Sequence, residues 1–372
     1  TYSAGGNASF FKKESRISLV GNFNNINQQN FGSQDMLGIS GTSNSPQSQM
    51  SMGNFRPPGG PAESFTTDPS VGINTTNAIG INFSNKWKNQ SAITASYFFN
   101  QTHNNNLSFS RNNIFDGNLF TLRNSDSKGD NYNHRVNARL EWKLDSSNMI
   151  FVIPSLTFQD NKSDAGTILN SFRNVSDSVY NAFSDANRNK SGYNLKNSLM
   201  FRHTFHNKNR IFAASLNTTL LKNLSDNTID ADYRFYDNQS LPITPDSVQK
   251  QFTDNNTTGY VIGGNITYNE PVGKKGKSQL QVEYNPTVQE NKSNQQTLGF
   301  DGNSYSVFDS SLSNKFINKI VIYSSGIAYR YTPGKNEQLT LGVNYQYTDM
   351  KNERFLPATG TSNYIFRNVL PY

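Results

Sequence analysis

Few residues of this chain stand at spacings that could do chemistry. His203 and His206 are the nearest pair of imidazoles. Three positions apart on an extended segment, they point to opposite faces, which disfavours a shared metal ion and leaves them as polar turn residues. Gly273-Lys-Lys-Gly-Lys-Ser278 has some of the residues of a phosphate-binding loop, but Pro271 stands where the first glycine belongs. The stretch also joins two strand patterns, whereas a phosphate loop runs from a strand into a helix, so a solvated turn is expected. Asp126-Ser-Lys-Gly-Asp130 and the interval Asp177–Asp185 could offer loop oxygens to calcium but lack a full ligand set. No G-x-S-x-G elbow is present, and the absence of cysteine excludes a thiol nucleophile, a thiolate metal site and a disulfide framework. No catalytic, cofactor-binding or metal residue is assigned, and the chain is read as a non-enzyme.

The charges with positional meaning lie elsewhere. Arg135, Arg139, Glu141, Lys196, Arg202, Glu283 and Arg330 occupy the polar phase of segments that alternate strictly with apolar residues. Val136, Ala138, Leu140 and Trp142, for example, interleave with Arg135, Asn137, Arg139 and Glu141. Turned toward lipid, each such charge costs ~2–4 kcal/mol at the bilayer midplane. They are therefore assigned to a lumen, where they either solvate it and pair with one another, or shape selectivity and the docking of a plug.

The elements that position them are hairpins. From Gly326 to Tyr347 the alternation runs through Ile327, Tyr329 and Tyr331, crosses Thr332-Pro-Gly-Lys-Asn336, and resumes with Leu339, Leu341, Val343, Tyr345 and Tyr347. Period two on both sides of a Pro-Gly turn is a hairpin signal. Five more hairpins precede it: Ala4–Phe11 with Arg16–Asn25, Asn77–Lys86 with Ser91–Gln101, Asn131–Trp142 with Met149–Gln159, Tyr193–Phe205 with Arg210–Lys222, and Gly259–Tyr268 with Ser278–Gln289. Pro154, which lacks a ladder donor, is expected to mark a bulge. Long polar loops are expected near 26–76, 102–130, 160–192, 223–258 and 290–313, opposite the short turns. The spacing between turns is too long and uneven for a solenoid, whose periods run ~20–50 residues.

Composition selects the environment. Hydrophobic residues make up 34% of the 372, yet aromatics reach 12%, with 18 Tyr and 26 Phe. Disorder would deplete aromatics. A membrane barrel reconciles the two values, because only every second strand residue needs to be apolar. No run approaches the ~18 apolar residues of a membrane-spanning helix. The net charge of +7 is scattered, which argues against a nucleic-acid surface. Trp87, Trp142, Phe205, Tyr268 and Tyr331 stand beside the short turns, as one aromatic girdle of a barrel would; Tyr97, Phe99, Tyr345 and Tyr347 would supply part of the other. The expected fold is all-β, a transmembrane antiparallel up-and-down barrel with about twelve strands in this chain. It forms a single barrel domain or part of one, integral to a bacterial outer membrane. The first residues enter strand pattern without a charged, apolar leader, and Tyr364–Tyr372 follow the last hairpin without a clear closing partner.

Gly5-Gly-Asn-Ala-Ser-Phe10, Ile17-Ser-Leu-Val-Gly-Asn-Phe-Asn-Asn-Ile-Asn-Gln-Gln-Asn-Phe31 and Gln34-Asp-Met-Leu-Gly38, with the ladder of hairpins behind them, resemble the barrel portion of TonB-dependent receptor-like outer-membrane proteins. The resemblance implies a barrel of about 22 strands when complete, a lumenal plug, energy coupling through TonB, and a ligand such as a siderophore, glycan or peptide. The plug and the TonB-contacting box have no counterpart in these residues. The resemblance also places ligand contacts on loops, here Phe31, Met36, Met50, Met52, Phe55 and Arg56, which could equally pack their own loop. A surface lipoprotein is a further expected partner besides the lipid bilayer, and no cofactor is expected. Two other classes stay open: a passive porin or structural platform for surface proteins, and a secreted β-rich adhesin.

Overall fold

The computed structural model describes residues 1–26, 72–114, 119–174, 177–206, 210–237, 241–273, 277–334 and 337–372. The six candidate ligand residues Phe31, Met36, Met50, Met52, Phe55 and Arg56 lie outside these. Among the described residues the structure is all-β: β1 (Ser3–Lys12), β2 (Ser15–Asn24), β3 (Ile73–Lys86), β4 (Ala92–Ile114), β5 (Leu119–Lys143), β6 (Asn148–Asn174), β7 (Asp177–Thr204), β8 (Ile211–Tyr236), β9 (Pro242–Val272), β10 (Ser278–Phe300), β11 (Tyr305–Tyr331), β12 (Leu339–Leu356) and β13 (Gly360–Pro371). They form one 13-stranded sheet in sequence order, each strand antiparallel to the next. This is an up-and-down sheet, the architecture of a barrel wall, and it is open, because β1 and β13 each have one partner among the described residues.

All six hairpins expected from alternation are present, with their turns at one end of the sheet. At the β1–β2 turn Lys13 adopts a left-handed φ of 55°. At the β5–β6 turn the Asp145 carboxylate accepts the backbone N–H groups of Ser147 and Asn148 at 2.7 and 2.8 Å. These bonds hold Asp145 below the usual carboxylate range, the Asn148 side-chain bond contributing most.

Three expectations need correction. The stretches 102–130, 160–192, 223–258 and 290–313 are mostly strand, not loop: β4 runs on to Ile114, β7 starts at Asp177 and β9 at Pro242. Side chains there are mostly polar on both faces, so the period-two contrast weakens to short interruptions such as Leu107 and Phe109, but the backbone ladder continues from Thr102↔Asn131 to Ile114↔Leu119 without needing it. Second, Pro154 makes no bulge. The pairs Asn137↔Ser155 and Leu140↔Val152 keep one register, and only the rungs between them are lost, on the side where proline lacks its N–H. The register shifts fall instead at Ser171–Asn174, Tyr233–Phe235, Gln295–Thr297, Gly299–Phe300 and Lys315–Phe316, toward the ends remote from the turns. Third, the C-terminal residues do have a partner: β13 pairs with β12 from Gly360↔Arg354 to Pro371↔Val343.

Strand length is the dominant feature. The 28 residues of β7 reach about 90 Å at ~3.3 Å per residue, whereas a tilted strand crosses a bilayer in ~9–11 residues.

Candidate functional site

Register decides which side chains share a face, because directly paired residues point the same way. Following the ladder across the sheet, Ile81 stands beside Leu19 and Tyr97, Tyr97 beside Val136, and Val136 beside Leu156. Leu199, Leu216, Ile266, Val282, Ile327 and Val343 carry the same face through β7 to β12. Its large side chains are strongly exposed: Leu341 by 59%, Ile79 and Trp142 by 49% each.

The opposite face is polar and crowded. Its side chains include Ala78, Phe98 and Thr267, exposed by 0, 6 and 3%. Asn24, Ser96, Phe151, Ser324, Ala328 and Thr348 are buried on the same side. A soluble sheet does the reverse and hides its apolar face. Crowding on one side and splaying on the other is the mark of a curled sheet whose concave side carries the polar residues.

Cross-strand and next-neighbour hydrogen bonds knit that concave side. Ser155 donates to Asn137 Oδ1 at 2.7 Å, Ser324 to Asn344 Oδ1 at 2.8 Å, and Gln346 to Thr348 Oγ1 at 3.1 Å. Asn265 donates to Asn285 and Asn352 to Asn318. Asn82 Oδ1, Ser96 Oγ, Asn133 Oδ1, Arg202 Nε and Arg330 Nε are buried atoms with no protein partner. Such atoms need a hydrogen-bonding medium or ligand.

All seven charges assigned from sequence to one phase lie on this polar side. Arg139 stands opposite Thr94, Lys196 opposite Ser155, Arg202 opposite Met149, and Glu283 opposite Thr267 and Gly326. They do not converge on one centre. Arg139 Nε donates to Glu141 Oε1 at 2.7 Å, and its guanidinium lies 5.8 Å from the Phe151 ring centroid. A second group joins Arg330, whose Nη2 donates to Gln281 Oε1 at 3.4 Å, to Glu283, which accepts from Gln281 Nε2 at 3.3 Å. Tyr372 lies on the same face across from Gly342, its backbone paired with it at 2.8 and 3.0 Å. Arg135, two rows from Arg139 on the same face, pairs with Phe98 and Thr157.

Trp87, Trp142, Phe205, Tyr268 and Tyr331 fall in the apolar phase at the turn end. Phe205 packs edge-on against His203 and Tyr268, with centroids 4.4 and 6.3 Å apart. His203 is hydrogen-bonded to Asn148 at 2.8 Å, so it is held as part of this packing. At the same turn end Arg210 makes a bidentate pair with Glu270, its Nε 2.7 Å from Oε2. Lys277, beside the lysine-rich β9–β10 turn, donates to the Pro333 carbonyl at 2.8 Å.

Sequence reading missed most of a second aromatic row. Phe99, His134, Phe158 and Tyr193 are successive cross-strand neighbours on the apolar face. Phe99 and His134 lie 4.9 Å apart, His134 and Phe158 6.1 Å, and Tyr97 Oη lies 2.9 Å from His134 Nδ1. Tyr323 and Tyr347 form a separate cross-strand pair on the same face of β11 and β12, 6.3 Å apart. The interval from Tyr260 to Tyr268, like that from His134 to Trp142, measures about 27 Å along the strand at ~3.4 Å per residue. With strands tilted by ~35–45° this spans roughly 19–22 Å along the barrel axis, within the ~25 Å apolar band of a membrane barrel. The signal available in sequence was an aromatic ring in the apolar phase of several strands well beyond the turn, as at His134, Phe158, Tyr260 and Tyr323. Compared with protein-family models and with curated proteins, the chain matches none.

Proposed function

We propose that this sheet is a large part of the wall of a bacterial outer-membrane β-barrel, with the apolar face against lipid and the polar face lining an aqueous lumen. The inverted burial carries the reading: apolar side chains are exposed on one face while asparagine, serine and threonine are packed on the other. Lipid is the medium that makes an exposed belt of Leu, Ile, Val and Tyr favourable. The two aromatic rows at its edges support the same reading, as do the unpartnered polar atoms on the concave side, which a wet lumen would satisfy. Strand parity adds a condition. Odd-numbered strands of an up-and-down sheet run the same way, so β1 and β13 could pair directly only in parallel. Antiparallel closure calls for an odd number of further strands between them.

Within that barrel the function is that of a receptor and transporter. It captures a solute on the side of the long hairpins and passes it through the lumen, energised through TonB by the resemblance of residues 5–10, 17–31 and 34–38. A plug in the lumen and a surface lipoprotein are its proposed partners. The experiment is fractionation of cells expressing the full-length native chain, followed by uptake assays. Recovery from the outer membrane only with detergent is expected, together with uptake that stops when the inner-membrane proton gradient is dissipated. Gradient-independent diffusion of small solutes would replace the receptor by a passive porin, and recovery from the soluble fraction would overturn the barrel.

A further inference from the structure

On the apolar face, several strands exchange hydrophobic residues for lysine at one height. Rising from the turn end, Lys222 follows Leu220 on β8, Lys292 stands beyond Val288 and Glu290 on β10, Lys319 beyond Val321 on β11, and Lys351 beyond Tyr347 and Asp349 on β12. Register makes them neighbours. Thr258 lies opposite both Lys222 and Lys292, and Lys319 lies directly opposite Lys351.

Two of the four are compensated. Lys292 Nζ lies 2.9 Å from Glu290 Oε1, and Lys351 Nζ 2.5 Å from Glu353 Oε1. Among the described residues Lys222 and Lys319 form no ion pair: Glu290, which stands directly opposite Lys319, reaches Lys292 instead. Like charges facing each other across a ladder, as Lys319 and Lys351 do, are destabilising unless an anion screens them.

The other face gives the control. At the same height its residues are Leu221, Gly259, Asn291, Asn318 and Asn352, none of them charged. A rim that was only solvated would have reason to carry charge on both sides. Here the lysines stand on the apolar side alone, at the upper edge of the hydrophobic belt. There Tyr260 faces Leu220 on one side and Glu290 on the other.

We infer that Lys222, Lys292, Lys319 and Lys351 form a seat for the phosphates of anionic lipid headgroups in the leaflet on the long-hairpin side. The inference rests on the membrane reading above. A headgroup phosphate at the belt edge brings its acyl chains alongside Leu220, Val288 and Val321, so one lipid satisfies both the cations and the apolar side chains below them.

The test uses the purified full-length protein with two vesicle types, phosphatidylcholine alone and phosphatidylcholine with about one-fifth phosphatidylglycerol. Lipid retained after re-extraction is counted by native mass spectrometry. The wild-type protein is expected to enrich phosphatidylglycerol about tenfold over the bulk. Lys222→Gln with Lys319→Gln should remove most of that enrichment, and Lys88→Gln in the β3–β4 turn should leave it. Unchanged heat-dependent electrophoretic mobility shows that each variant has folded. Insertion into both vesicles without enrichment, or equal enrichment in wild type and double variant, overturns the lipid seat and leaves the membrane reading intact. Displacement of the enriched lipid by millimolar inorganic phosphate alone would also overturn it, since it would mark a site for the free anion. Failure to insert into either vesicle overturns both.

Discussion

The ring of Phe98 on β4 lies over Gly80 on β3, its directly paired neighbour, so closely that a Cβ at position 80 would sit 2.4 Å from Phe98 Cε1. Val20 Cγ1 closes the other side at 2.8 Å. Three strands are thus locked on the polar face by one absent side chain, and Phe98 is buried there as a result. Tyr372 stands over Gly342 in the same way, with a Cβ there 2.5 Å from Tyr372 Cζ.

Gly80→Val should therefore destabilise the folded chain by about 1–3 kcal/mol, the usual cost of overpacking. Phe98→Ala in the same chain should return part of the loss. Urea midpoints of the single and double variants check this. Additive effects would show that the ring and the glycine do not interact.

Adjacent residues on β8 should answer oppositely to charge. Leu216→Arg places a cation in the middle of the apolar belt and should cost ~2–4 kcal/mol in folding into vesicles. Asn217→Arg, one position on and on the polar face, should cost well under half as much. Equal penalties would mean that the two faces do not meet different solvents.

Arg330 and Glu283 should tune ion passage more than stability. Their side chains meet through Gln281 on a face that the proposed function makes lumenal. Arg330→Gln should shift the reversal potential of reconstituted protein toward cation selectivity, and Glu283→Gln toward anion selectivity, with denaturation midpoints changing little. Identical reversal potentials in both variants would remove these residues from the conducting path.

The β10–β11 connection should carry an acid-sensitive contribution. Asp301 accepts from Ser306 Oγ at 2.5 Å and from the backbone N–H groups of Asn303 and Ser304 at 2.8 Å each. These bonds, the Ser306 hydroxyl first, lower its pKa to about 2. A carboxyl lowered on folding contributes stability that is complete above its unfolded pKa, about 4. It is lost as the pH falls through the folded value near 2. Amide exchange at Asn303 and Ser304, each referenced to its intrinsic rate at the same pH, should lose protection across that interval, and Asp301→Asn should show no such step.

The sequence by itself determined the hairpins and the two faces. Where Val136, Ala138, Leu140 and Trp142 alternate with Arg135, Asn137, Arg139 and Glu141, a strand with one apolar and one polar face imposes period two, and the residues record it. The tertiary structure alone decided how far the strands run, how they end, and which residues meet. Beyond Thr102 β4 is polar on both faces apart from Leu107 and Phe109, too short an alternation to mark a strand, yet backbone hydrogen bonds carry the ladder to Ile114. In β13, Tyr364, Ile365 and Phe366 are apolar on both faces and again leave no contrast to read. The second aromatic row, the four lysines and the ring over Gly80 each join residues from different strands. Their meeting depends on register, and register is a sum of ladder bonds and packing over the whole sheet that no single strand contains.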